Sequence, residues 1–293
     1  MLVNEVKDEL LQEWKNNKYY WIIELLGFWE GGVNASNLAQ QFNVTRKQGK
    51  QYLTRYRTLY PQNLIYNTSL KHFIPTSTFV NHYINKEVGE YLDWLNHKSA
   101  ETTYLNSHLT DTSTRLPTRR VSPQTMRSLV YAIKHNQAIE AYYSSFNHPI
   151  GESIIIHPHT FVKTGLRWHL RGYSEKHKGF RDFVLSRFSD DTSVDDSRHY
   201  QNKSVDVAWN TSVTLKLIPN PLFSEAQQQL IATDYSMENS QLHITTKGAL
   251  VHYLLQEMQI DISQADKAEK QPLVVANADE VTQWLFNNVN GSK

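Results

Sequence analysis

Large apolar residues recur at helical spacing in the first thirty positions. Trp14, Trp21, Ile22, Leu25, Leu26 and Trp29 keep that period until Gly31-Gly32 stops it, predicting a helix within residues 1–30. Leu38, Ala39 and Phe42 then mark a short helix and Asn43-Val44 a turn. Thr45 caps a second helix running from Arg46 to about Leu59, with Tyr52, Leu53 and Tyr56 as its buried stripe. Pro61 ends it, and two apolar runs, 64–66 and 70–75, separated by Asn67-Thr68-Ser69, predict a β-hairpin. Two helices, a turn and a hairpin in that order make a winged helix-turn-helix. Phe79, Tyr83, Val88, Tyr91, Leu92 and Leu95 predict one more helix over 79–98.

Beyond a Ser/Thr-rich stretch at 99–121, which contains Pro117 and reads as a linker, Ser122-Pro123 is a strong helix start. That helix reaches His135 and leads into a strand at 138–145. The period then becomes two. In 165–173, Leu166, Trp168, Leu170 and Gly172 alternate with Arg167, His169, Arg171 and Tyr173. In 180–188, Arg181, Phe183, Leu185 and Arg187 share one face, and residues 174–179 form the loop between the two strands. An Asp-rich stretch, 189–204, reads as a second linker. Strands at 213–217, 241–245 and 273–276 then alternate with helices at 224–233, 248–258 and 279–288, the mark of a small α+β unit.

Net charge is +1, so no uniformly basic coat exists, but charge is unevenly distributed. Residues 1–114 hold 11 basic and 11 acidic side chains, 115–188 hold 12 and 4, and 189–293 hold 7 and 14. The basic middle suits an anionic ligand, since arginine meets phosphate well. The helix from Arg46 carries Arg46, Lys47, Lys50, Arg55 and Arg57 with no acid, and Gln48, Gln51 and Thr54 add groups able to bond base edges. The absence of cysteine excludes disulfides and cysteine-ligated zinc. No signal peptide or membrane span is visible, so a cytoplasmic location is expected.

Catalysis and metal binding find little support. His157 and His159 share a strand face, but neighbouring arginines would repel a cation. Ser145 or Ser186 with a histidine and an aspartate would form a hydrolase trio, yet thirteen histidines make such trios easy to find. No GxSxG elbow and no glycine-rich phosphate loop is present, and neither a cofactor nor an enzymatic activity is expected.

The ordered set Ile139–Ser145 (Ile-Glu-Ala-Tyr-Tyr-Ser-Ser), Pro158-His159, Trp168-His169-Leu170 and Phe180–Arg187 resembles the WYL domain of bacterial transcriptional regulators, with histidine in place of the name-giving tyrosine. The resemblance implies an Sm-like β-barrel whose pocket residues fall on Tyr143, Ser145, His159, Arg167, His169, Arg171, Arg181 and Arg187. It implies an α+β fold class with three domains, a winged helix-turn-helix with helical extension (1–98), the WYL domain (122–190) and a C-terminal α+β extension (205–293), the first two joined by a linker (99–121). Among WYL proteins the two arginine-bearing strands look most like regulators beside phage-defence operons, BREX-type systems included, which act as homodimeric repressors. Double-stranded operator DNA and an anionic nucleotide or oligonucleotide effector are then the expected partners. Candidate DNA-contacting residues are Thr45, Arg46, Lys47, Gln48, Lys50, Gln51 and Arg55 on the helix and Lys71 on the wing. Two other readings stay open: an RNA- or single-strand-binding protein using the barrel, and an enzyme acting on a phosphorylated small molecule.

Overall fold

The computed structural model describes residues 17–97, 119–165, 167–266 and 268–286. Trp14, Lys98, Leu166, residues 287–288 of the closing helix and most of the expected 99–121 linker, Arg115 and Pro117 among them, lie outside the described residues. The described chain divides into two units. One comprises residues up to Phe161 together with Leu170–Tyr200; the other comprises Val162–His169 and the residues from Gln201 on.

In the first unit, helix α1 (residues 17–30) is apolar nearly all round, and Trp21, Ile22, Ile23, Leu25 and Trp29 are fully enclosed. Helix α2 (Ala35–Phe42) begins at an Asn34–Asn37 reciprocal cap and ends at Asn43 with φ 51°. Helix α3 (Arg46–Leu59) begins at a second reciprocal cap, Thr45 with Gln48. Gly49 lies where the two helices meet: a Cβ there would stand 2.5 Å from the Ala35 carbonyl oxygen. That close approach explains a glycine inside a helix, where it otherwise costs about 1 kcal/mol relative to alanine. Strands β1 (Leu64–Asn67) and β2 (His72–Pro75) form the antiparallel wing, and Val33 bridges to Phe73.

The helix expected over 79–98 is present only from Val88 (α4, Val88–His97). Residues upstream are diverted by Glu24 of α1, which is fully buried and accepts hydrogen bonds from the backbone N–H groups of His82, Tyr83 and Ile84 and from the Tyr56 hydroxyl. A buried carboxylate needs such donors, and here a non-helical segment supplies them.

Helix α5 (Pro123–His135) starts at the Ser122 cap, with proline in its first turn. It is tied back to α1: the Arg127 guanidinium donates to the Phe28 carbonyl at 2.8 and 3.0 Å, and Lys134 pairs with Glu30, which also accepts from the Tyr91 hydroxyl. The sheet that follows contains β3 (Ala138–Tyr143), β4 (Glu152–Thr164), β5 (Arg167–Ser174), β6 (Gly179–Val184) and β7 (Ser193–Asp195), in the order β6-β5-β4-β3-β7. Its two outer strands are β6 and β7, and it is not closed among the described residues, so the expected barrel is seen here as an open sheet. The last strand also ends earlier than alternation suggested. Residues Leu185–Arg187 form a 3-10 turn because Ser144 N–H draws the Arg187 carbonyl and Phe188 bridges Tyr143. Arg187 therefore does not share a strand face with Arg181. Part of the second expected linker is structured too, since Ser193–Asp195 is β7 and pairs with β3.

In the second unit, β8 (Ser212–Pro219) lies between β9 (Leu242–Lys247) and β10 (Leu273–Val275) in an antiparallel sheet. Leu215, Leu217, Val251, Leu255, Leu273 and Val281 form its core. Helices α6 (Val207–Asn210), α7 (Glu225–Asp234), α8 (Val251–Glu257) and α9 (Ala278–Val281) complete it. This is the small α+β unit that the pattern predicts. No helix among the described residues is long and apolar enough to cross a membrane.

Candidate nucleic-acid interface and ligand clefts

Helix α3 sorts its residues cleanly. Gly49, Leu53 and Tyr56 form the buried seam at helical spacing, while Arg46, Lys47, Gln48, Lys50, Gln51, Thr54, Arg55 and Arg57 are exposed. Among the described residues no ion pair engages Arg46, Lys47, Lys50 or Arg55, and all four are exposed to solvent. Thr45 and Gln48 are partly occupied in the cap: the Gln48 carboxamide oxygen accepts from the Thr45 N–H and hydroxyl at 2.9 Å each, leaving its NH2 group to donate outward. Arg57 stacks over Phe73 of the wing, 4.6 Å from the ring centroid, fixing the hairpin beside the helix. Lys71 sits exposed in the wing turn with φ 55°.

Sequence reasoning missed three residues that position this surface. Gly49 allows the helices to close, Glu24 holds the segment behind them, and His72 links the wing to α2 through Asn34 at 3.0 Å. Only the glycine left a local signal, as a poor helix former in the middle of a helix.

The residues expected to form one ligand pocket are distributed over several environments. Tyr143 and Ser145 line a cavity of about 240 Å³ with His148, Glu152, Lys176, His177 and Phe183. The Tyr143 hydroxyl accepts from the Val184 N–H at 3.1 Å. Glu152 pairs with Lys176, and that contact holds its carboxyl below the usual range. Partial burial, helped by Arg181 and Lys176, pushes His177 below the ordinary histidine range. Arg167 and His169 line a separate cavity of about 370 Å³ in the second unit, with Thr164, Tyr253, Gln256, Glu257 and Phe286. The His169 ring meets the Thr164 hydroxyl at 3.2 Å.

Arg171 is buried and paired with Asp182 at 3.1 Å, both side chains being 6% exposed. His159 is buried, with Nδ1 2.9 Å from the Thr160 hydroxyl. Arg181 donates to the Phe180 carbonyl, and Arg187 lies over the exposed Phe146 ring. His157 is enclosed and meets Glu175 at 3.1 Å. No cluster of three metal-ligating side chains occurs among the described residues.

Profiles of three known domains match the chain in order. The "BrxR transcriptional regulator winged helix-turn-helix domain" covers residues 15–97, the WYL domain 124–192, and the "BrxR transcriptional regulator, C-terminal dimerization domain" 212–281. A relative in Pseudomonas aeruginosa, "DNA-binding transcriptional repressor CapW", is 31% identical over 88% of this chain and 87% of its own length.

The chain belongs to the BrxR–CapW family of WYL-domain regulators.

Other members of the family with the CapW name also match over most of their length. One in Escherichia coli is 31% identical over 88% of this chain and 87% of its own, and one in Stenotrophomonas maltophilia is 25% identical over 95% of each. The solved PafBC structure of Arthrobacter aurescens covers 92% of this chain at 12% identity with a TM-score of 0.28, a likeness that carries no argument.

Proposed function

We propose that this BrxR–CapW family member is a sequence-specific DNA-binding repressor that acts as a homodimer. The observation that carries the proposal is the unpaired cationic face of α3, with Arg46, Lys47, Lys50 and Arg55 exposed opposite a buried Gly49/Leu53/Tyr56 seam. In this reading α3 enters the major groove, Gln48, Gln51 and the arginines bond base edges, and Lys47, Lys50 and Lys71 neutralise phosphates. One such module reads few base pairs, so a two-fold dimer on a palindrome supplies the length. The match of residues 212–281 to a dimerization domain supports that arrangement.

Control by an anionic nucleotide or oligonucleotide bound in the WYL domain is the second part of the proposal. The cavity lined by Tyr143 and Ser145 supports it as a place for a ligand, and the basic balance of residues 115–188 supports the anionic character. The turn at Leu185–Arg187, which carries the chain from the β6 side towards β3, is consistent with a sheet that curls in the Sm-like manner. An operon for phage defence, BREX-type or related, is the expected target on family resemblance. Effector binding releases the operator only if the effector prefers the DNA-incompetent arrangement.

A mobility-shift titration tests the proposal, using a duplex selected by the full-length protein from a randomised pool, a scrambled duplex, single strands and RNA. Preference for the selected duplex at physiological salt is expected. Equal affinity for scrambled duplex removes the repressor, and tighter binding of single strands or RNA moves the activity to another class.

A further inference from the structure

The wing ends in a residue that a solvated turn has no use for. Leu70 is 61% exposed at the hairpin tip, between Ser69 and Lys71. A lone exposed leucine is unremarkable on most surfaces. This one differs because its backbone is clamped from both sides. Its N–H donates to the Asn67 side-chain oxygen at 3.0 Å, and its carbonyl lies 2.6 Å from Nδ1 of His72.

A carbonyl can only accept, so Nδ1 of His72 carries the proton and Nε2 is an acceptor. Nε2 in turn lies 3.0 Å from the Asn34 amide nitrogen, which donates to it. The Asn34 oxygen is committed to the Ser36 and Asn37 N–H groups at the start of α2. The tip is thus connected, bond by bond, to the helix-turn-helix, while Arg57 stacked on Phe73 fixes the same ribbon to α3. An apolar side chain has been placed at a fixed distance from the cationic helix, with a lysine beside it.

We propose that Leu70 is an apolar wedge that enters the minor groove next to the groove read by α3 and partly unstacks a base step there. The proposal rests on the duplex-binding reading given above. With α3 in the major groove, a ribbon held against it meets the flanking minor groove, and the Lys71 charge suits the phosphates at that groove's edge. Apolar wedges in minor grooves open base steps and bend the duplex, and they favour steps that unstack easily. Leu70 therefore adds specificity for a deformable pyrimidine–purine step at a fixed offset from the bases contacted by α3, without bonding any base edge.

The test uses the full-length protein and a duplex it selects from a randomised pool, with 2-aminopurine placed in turn along the site. Wild type should brighten the probe at one step and shorten the end-to-end distance of an end-labelled duplex. Leu70→Ala should lose both signals and roughly tenfold in affinity. The slope of log K against log salt should stay unchanged in that variant, because no charge is removed. Leu70→Met, which keeps the apolar bulk, should restore brightening. Lys71→Ala should behave in the opposite way, keeping the brightening while its salt slope falls by about one. Both residues are exposed, and unchanged melting of each variant shows that the fold is intact. Equal affinity and equal brightening for Leu70→Ala and wild type would overturn the wedge while leaving duplex binding in place. Failure of the wild-type protein to select any duplex would overturn both.

Discussion

Two regions of this protein carry arginine and lysine in similar density and use them in opposite ways. On α3 the cations stand in solvent, backed by a thin apolar seam. In the middle sheet Arg171 is sunk beside Asp182, and on α5 Arg127 is half-buried with its guanidinium on the Phe28 carbonyl. Burial withdraws water from a charge, and the protein must then provide the partner itself. Exposure leaves the charge to an outside partner. Both regions read as basic in the sequence, and the presence of an internal acceptor separates a structural arginine from an exposed one.

The contrast is broken most severely at the buried pair. Asp182→Ala removes the carboxylate paired with the Arg171 guanidinium in the interior and should cost about 3–5 kcal/mol, seen as a large drop in the denaturant midpoint. A change below about 1 kcal/mol would mean that the Arg171–Asp182 pair contributes little to the fold. Gly49→Ala comes next. Its added carbon would meet the Ala35 carbonyl, so α2 and α3 must separate, at a cost of about 1–3 kcal/mol with weaker duplex binding. A stabilised Gly49→Ala, as helix propensity alone would give, would show that the two helices are free to part.

Lys47→Ala with Lys50→Ala is the opposite pole, expected to move stability by no more than about 0.5 kcal/mol. The salt slope of duplex binding should nevertheless fall by about two, one for each phosphate that is no longer neutralised. An unchanged slope would take α3 out of the interface. The smallest effect belongs to His177. Because its folded-state pKa lies below the ordinary value, the unfolded chain takes up the proton more readily, and stability is lost as pH falls through the ordinary histidine range. An anion in the cavity that His177 lines favours the protonated ring, so sulfate, whose charge is constant over this range, should bind more tightly at pH 6 than at pH 8. His177→Asn should flatten both dependences in melting and calorimetric titrations.

How legible each region was follows from the reach of the interactions that shape it. Thr45, Gln48, Leu53 and Tyr56 form a cap and a seam within a dozen residues, and α3 was readable from them. The C-terminal strands were readable for the same reason, since alternation in 213–217 reflects one buried face. Residues 79–87 misled because the carboxylate that holds them, Glu24, lies 58 to 60 positions upstream and looks like any helical glutamate. Arg187 misled because alternation continues through Leu185, while the backbone at Ser144 bends the chain into a turn. The expected pocket separated into distinct environments for a related reason. A period of two reports which residues share a face, and says nothing of which neighbour covers each one.

The bond from Arg127 to the Phe28 carbonyl has a practical corollary. The last turn of α1 has carbonyl groups that no residue within that helix can satisfy, and one of them is capped from a hundred positions away, with Lys134 serving Glu30 beside it. A fragment cut after residue 97 would lose both donors at once, and its first helix would fray from the end that leads into α2. The winged-helix part is thus completed by donors that the WYL part supplies.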